Sequence, residues 1–138
     1  MSSEDCLFCK MVSGQIPVTK IYEDEDILCF MDIGPISEGH TLVITKQHVD
    51  KLHECPPEIL SKVVSKLGRI AGAVAAAMNS DGYNILNNTG KVAGQHIQHL
   101  HFHIIPRKKG DGVFDRWPSF KYPEGKMDII ADKIRQKL

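Results

Sequence analysis

Apolar and polar residues change period several times along the chain, and each change marks an element. Leu60, Val63, Val64, Leu67, Ile70, Ala71 and Val74 recur at three- and four-residue intervals, which places them on one stripe of an amphipathic helix reaching about Met78. Cys55-Pro56-Pro57-Glu58 suits its start, because proline is tolerated in a first turn and a carboxylate there opposes the helix dipole. Asn79-Ser80-Asp81-Gly82 stops it. Two stretches, 16–23 and 26–32, are rich in β-branched and aromatic residues and flank the polar pair Asp24-Glu25, so they predict a hairpin. Gly34-Pro35 and Gly39 break the chain before a continuous apolar strand over 41–45, and a further strand is predicted over 83–86. Near the ends, 10–14 reads as a short helix closed by Gly14, and 127–138 as a terminal helix with Ile129, Ile130 and Ile134 on one side.

The last predicted strand carries the chemistry. In Gln98-His99-Leu100-His101-Phe102-His103-Ile104-Ile105-Pro106, histidines alternate with apolar residues. Successive strand side chains point to opposite faces, so an extended backbone would set His99, His101 and His103 side by side at intervals of roughly 7 Å, close enough to share a substrate or an ion. The order strand, strand, strand, helix, strand, strand argues for an α+β fold, an antiparallel five-stranded sheet with the long helix on one face. There is no alternating βαβ pattern and no Walker or Rossmann glycine motif, so a nucleotide would have to be held by another architecture.

A length of 138 residues suits one domain. We expect the ordered domain over 1–112, starting in earnest at about 6, and a C-terminal tail over 113–138. Lys plus Arg and Asp plus Glu number 17 each, so no global field points to nucleic acid or to a membrane, and neither partner is expected. The acidic, polar start lacks the basic and apolar regions of a signal peptide, and no apolar run reaches membrane-spanning length; a cytoplasmic protein is expected. In that reducing setting the four cysteines, Cys6, Cys9, Cys29 and Cys55, are expected free or metal-bound rather than paired as disulfides.

The run Gly94-Gln95-His96-Ile97-Gln98-His99-Leu100-His101-Phe102-His103-Ile104-Ile105 resembles the signature of the histidine triad superfamily. Upstream similarity extends through Phe30-Met31-Asp32-Ile33, Gly39-His40-Thr41-Leu42-Val43-Ile44 and Asn88, covering most of 6–112. The resemblance implies a homodimer whose sheets join edge to edge. It implies hydrolysis or transfer at the α-phosphate of a purine nucleotide, with His101 as nucleophile and a nucleotidyl-histidine intermediate. His101 would be held in the reactive tautomer by the carbonyl of His99, and His103 would bind a phosphate oxygen, with His40 supporting the network. Asp32 matches a carboxylate for the ribose hydroxyls. Leu7, Phe8, Met11, Ile16, Phe30 and Ile33 match an apolar base pocket, although each alone reads equally as core. Asn88 and the backbone of Gly94 and Gln95 match phosphate and leaving-group contacts. The chain departs from the pattern at His96, where many members place Ser or Thr; its imidazole either supplies the donor that the hydroxyl would have given or points to solvent.

Cys6, Cys9, His48 and His99 form a Cys₂His₂ set suited to tetrahedral zinc, and bacterial-type members resemble this arrangement. Such an ion would be structural, tying the N-terminal segment to the sheet. Cys29 and Cys55 lack matching partners and read as a small buried residue and a residue at the helix start. A purine nucleoside phosphoramidase is the leading reading. A dinucleoside polyphosphate hydrolase is the alternative, because Arg107-Lys108-Lys109 could hold further phosphates. A non-catalytic nucleotide-binding interaction module and a transition-metal sensor are the other functional classes.

Overall fold

The computed structural model describes residues 3–116 and 119–138; residues 1, 2, 117 and 118, which fall within the expected domain and tail spans, lie outside the described residues. Helix α1 (Leu7–Val12) is followed by strands β1 (Lys20–Glu23), β2 (Ile27–Met31) and β3 (Thr41–Thr45), the long helix α2 (Pro57–Met78), β4 (Gly82–Leu86) and β5 (His101–Arg107). The short helix α3 (Val113–Arg116) and the helix α4 (Lys126–Lys137) close the chain. The strands form one antiparallel sheet in the order β1-β2-β3-β5-β4, the expected α+β architecture.

All five positions of β2 and of β3 are buried, because both faces of the sheet are covered there. On one face Cys29, Met31, Val43 and Ile104 pack against Val63, Leu67, Ile70 and Val74 of α2. On the other, Leu28, Phe30, Leu42 and Ile44 meet Cys6 and Phe8 of the N-terminal segment. That second cover is short, and the space it leaves is a cavity lined by Phe8, Phe30 and Leu42. Helix α2 keeps its predicted limits. Glu58 stands in its first turn, and Asn79 ends it in the left-handed conformation (φ 52°), donating its N–H to the carbonyls of Ala75 and Ala76.

Three expectations are redrawn. The first strand starts at Lys20 rather than 16, because the N–H groups of Gln15 and Ile16 turn back to the Lys10 carbonyl and Pro17 has none to offer a ladder. Ile16, Pro17 and Val18 thereby reach the pocket instead of the sheet. The histidine strand starts at His101: the His99 N–H bonds to the Ile97 carbonyl and the Leu100 N–H to Val49, so His99 stands outside the ladder. At the C-terminus, α4 extends the core. Ile130, Ala131 and Ile134 are fully buried, and each isoleucine side chain removed from water contributes roughly 1.5–3 kcal/mol. Among the described residues no helix is long and apolar enough to cross a membrane.

Candidate active site and metal cluster

In the β3–β5 register Ile44 lies opposite His101 and Leu42 opposite His103, so the two imidazoles emerge on the thinly covered face. They border a cavity of about 690 Å³. Leu7, Phe8 and Met11 from α1, Ile16, Phe30 and Ile33 line its apolar end, with Asp32, His40, Asn88, Gly94 and His96 at the polar end. Phe8 packs edge-on against Phe30 at 5.8 Å and against His101 at 5.0 Å, joining the apolar lining of the cavity to the His101 ring.

The hydrogen bonds assign every proton on the ring system. His101 donates Nδ1–H to the His99 carbonyl at 2.7 Å, which leaves the lone pair on Nε2. The Ile36 N–H donates to His40 Nδ1 at 3.2 Å, so His40 keeps its proton on Nε2 and donates it to His103 Nδ1 at 2.8 Å. His103 then carries its own proton on Nε2. One ring thus offers a lone pair and its neighbour, 5.1 Å away between centroids, an N–H donor. Burial holds His101 and His40 below the ordinary histidine range, against opposing pulls from the His99 carbonyl on His101 and from Asp32 on both. Burial, followed by repulsion from His40 and His101, lowers His103 to about 3. The rings are therefore neutral at pH 7, as a nitrogen nucleophile requires. Asp32 accepts the Gly34 N–H on Oδ1 at 2.8 Å, and its Oδ2 lies 3.5 Å from His40 Nε2.

Behind this pocket the ligand atoms of Cys6, Cys9, His48 and His99 all lie within 4.8 Å of one another. Tetrahedral zinc, with Zn–S near 2.3 Å and Zn–N near 2.0–2.1 Å, separates sulfur from nitrogen by about 3.5 Å. Cys6 Sγ is 3.3 Å from His99 Nδ1, and Cys9 Sγ is 3.2 Å from His48 Nδ1 and 3.6 Å from His99 Nδ1. His99 donates Nε2–H to the Thr45 carbonyl at 2.6 Å, leaving Nδ1 as a lone pair aimed at the thiols. Burial and the adjacent Cys6 push the Cys9 thiol up to about 11, so a cation is what would make it a thiolate at neutral pH. The residues present fit the ion. Asp32, His40 and His103 form a second close set, but 2.8 Å between the two ring nitrogens is a hydrogen bond, shorter than the ~3.3 Å between nitrogens on one tetrahedral ion.

A family model described as the HIT domain matches residues 13–110. The chain belongs to the HIT-domain family. An uncharacterized HIT-like protein of Methanocaldococcus jannaschii is 47% identical over 130 residues, covering 94% of this chain and 98% of that protein. The Arabidopsis thaliana adenylylsulfatase is 47% identical over 107 residues, 78% of this chain and 54% of its own length. The Schizosaccharomyces pombe adenosine 5'-monophosphoramidase is 36% identical over 134 residues, 96% of this chain and 98% of that one. Among solved structures, a zinc-bound histidine triad family protein from Mycobacterium smegmatis superposes with a TM-score of 0.85 at 38% identity, covering 99% of this chain and 94% of the other.

Of the residues expected from the sequence, this HIT domain gathers all but two of the nucleotide and catalytic set around the cavity. His99 is fully buried outside it, supplying its carbonyl to His101 and its ring to the cysteine cluster. Gln95 is the other. Its side chain donates to Asp50 and accepts the Gly90 N–H, and its own N–H goes to the Gly90 carbonyl. The Gly94 N–H is likewise donated to the Lys91 carbonyl, so the loop uses both of these backbone N–H groups internally. Residues missed include Val18, Leu42, Leu86 and Ile97, of which Leu42 could have been found from its period-two relation to Ile44. Asn87 was missed too. Its Nδ2 donates to the His101 carbonyl at 3.0 Å, steadied by Thr89 at 2.9 Å.

Proposed function

We propose that the chain is a nucleotide hydrolase acting at the α-phosphate, with purine nucleoside phosphoramidates as its substrate class. The observation that carries this reading is the 2.7 Å bond from His101 Nδ1–H to the His99 carbonyl, which presents a neutral Nε2 lone pair to the cavity. That lone pair attacks the α-phosphorus as the bond to the leaving group breaks, giving a nucleotidyl-imidazole that water then hydrolyses. His103 Nε2–H stabilises the charge growing on a phosphate oxygen. Asp32 accepts from the ribose, and Phe8, Phe30 and Ile33 flank the base. His96, exposed and lining the cavity, would meet the leaving group.

Cys6, Cys9, His48 and His99 would hold a structural Zn²⁺. The ion would stabilise both thiols as thiolates, and four protein ligands leave it no position for water. Since Cys9 and Phe8 share α1, the same ligands fix one wall of the base compartment. The exposed Tyr83 and Ile85 on the edge strand β4 support an edge-to-edge homodimer.

The polyphosphate alternative relies on Arg107 to Lys109. Arg107 is engaged by Asp111 and Asn84 and lies over the Phe114 ring, and none of the three lines the cavity, which favours the mononucleotide reading. The test compares turnover of an adenosine phosphoramidate and a diadenosine polyphosphate on one preparation. A preference for the phosphoramidate is expected, and a large preference for the dinucleotide would overturn the assignment.

A further inference from the structure

The segment 119–122, between α3 and α4, has no part in the chemistry above, yet it bonds to the loop that carries His40. Three contacts join them. Ser119 Oγ donates to the Gly34 carbonyl at 3.0 Å, the Phe120 N–H donates to the Pro35 carbonyl at 3.0 Å, and the Gly39 N–H donates to the Tyr122 hydroxyl at 2.7 Å. They bracket the Ile36–His40 bond, the one that decides which His40 nitrogen carries the proton. Tyr122 is buried, with its ring edge-on to Phe120 at 5.4 Å, and the fully buried Ile130, Ala131 and Ile134 hold α4, the helix that follows.

Gly39 leaves the loop little freedom on its other side. Its φ is 89°, and a β-carbon there would meet Met78 of α2 at 2.5 Å. The loop is thus caught between α2 and Tyr122. From Gly39 the path to the reacting centre is short: the His40 N–H bonds to the Ser37 carbonyl, the His40 carbonyl accepts the Asp32 N–H, and the His40 ring donates to His103. Without the phenol oxygen, the buried Gly39 N–H would lose its acceptor, and the loop would relax toward water to recover one.

Building on the proposed nucleotidyl transfer, we infer that Tyr122 is a positioning residue: by accepting the Gly39 N–H it holds the loop so that His40 presents Nε2–H to His103. The segment expected to be a tail is then part of the active-site scaffold. The three bonds of the clamp go to Gly34, Pro35 and Gly39 rather than to Phe8 or Phe30 of the apolar wall, so nucleotide affinity is expected to change less than the rate. The effect falls on the rate of transfer.

The test uses full-length protein. Tyr122→Phe keeps the ring and removes only the hydroxyl, and Ser119→Ala removes the contact at the exposed end of the clamp. In single-turnover nucleotidylation, Tyr122→Phe is expected to slow transfer about tenfold and Ser119→Ala about threefold, with AMP affinity within about twofold of wild type. In substrate-free protein with labelled histidine, the proton shared between His40 and His103 gives a slowly exchanging NMR signal, which Tyr122→Phe is expected to broaden or abolish. Wild-type rates together with an unchanged signal would overturn the inference. So would a Tyr122→Phe variant that loses rate, AMP affinity and melting temperature in parallel, since a purely structural contact would do that. A wild-type protein that transfers no nucleotide would refute the functional reading instead, and the NMR signal would still decide the clamp.

Discussion

Acidification is expected to destabilise the protein through His103, by an amount that follows from its surroundings. Burial, with His40 and His101 beside it, lowers this ring from its ordinary 6.5 to about 3. Well above pH 6.5 it is neutral in both folded and unfolded chains and contributes no slope. Below 6.5 the unfolded chain takes up a proton that the folded chain resists, so stability falls with pH until the folded ring also titrates near 3. Between pH 7 and pH 5 the linkage comes to about 2 kcal/mol from this group alone. For a domain of this length that is a fall in melting temperature of roughly 6–8 °C. The assay is urea unfolding at pH 7 and pH 5 and constant ionic strength, on wild type and on His103→Asn, which keeps an acceptor for His40 but cannot titrate. Other buried histidines titrate in both proteins, so the difference between them isolates His103. Wild type should lose about 2 kcal/mol more than the variant. Equal losses would refute the neutral, hydrogen-bonded His103, and with it the donor that the mechanism assigns to phosphate.

Two further outcomes follow from the cysteine cluster and the C-terminal helix. Cys9→Ser should lower bound zinc, read by elemental analysis, and weaken AMP binding several-fold, because Cys9 and Phe8 ride on the same short helix; full zinc content in the variant would remove Cys9 from the ligand set. Ile134→Ala should cost about 2–5 kcal/mol in chemical denaturation, as for other large-to-small core changes, since Ile134 is fully buried. A cost below about 0.5 kcal/mol, the range of surface substitutions, would mean that α4 is not packed as described.

The long helix and the apolar strand over 41–45 were legible in the sequence because their periods run undisturbed and their ends carry strong stop signals. Period two also predicted the pairing of His101 with His103. It failed at His99, where the backbone bonds locally to Ile97 and to Val49, partners that no pattern in residues 98–106 could announce. Ile16 was assigned to both a strand and the pocket; Pro17 and the turn onto Lys10 decide for the pocket. Cys6, Cys9, His48 and His99 were recognisable by residue type, whereas the Thr45 carbonyl that selects the His99 tautomer is a backbone group with no signature. The same holds for the clamp, since the Tyr122 hydroxyl accepts from a backbone N–H 83 residues away, a long-range contact that no local pattern announces.

The central claim is that His101 Nε2 is the attacking atom. Brief mixing of the protein with an adenosine phosphoramidate, a rapid quench that preserves the phosphorus–nitrogen bond, and peptide mass spectrometry test it most directly. An adenylyl group is expected on the peptide bearing His101, absent from His101→Ala, which also shows no turnover. Full turnover in His101→Ala, or an adenylyl group on another residue in wild type, would contradict it.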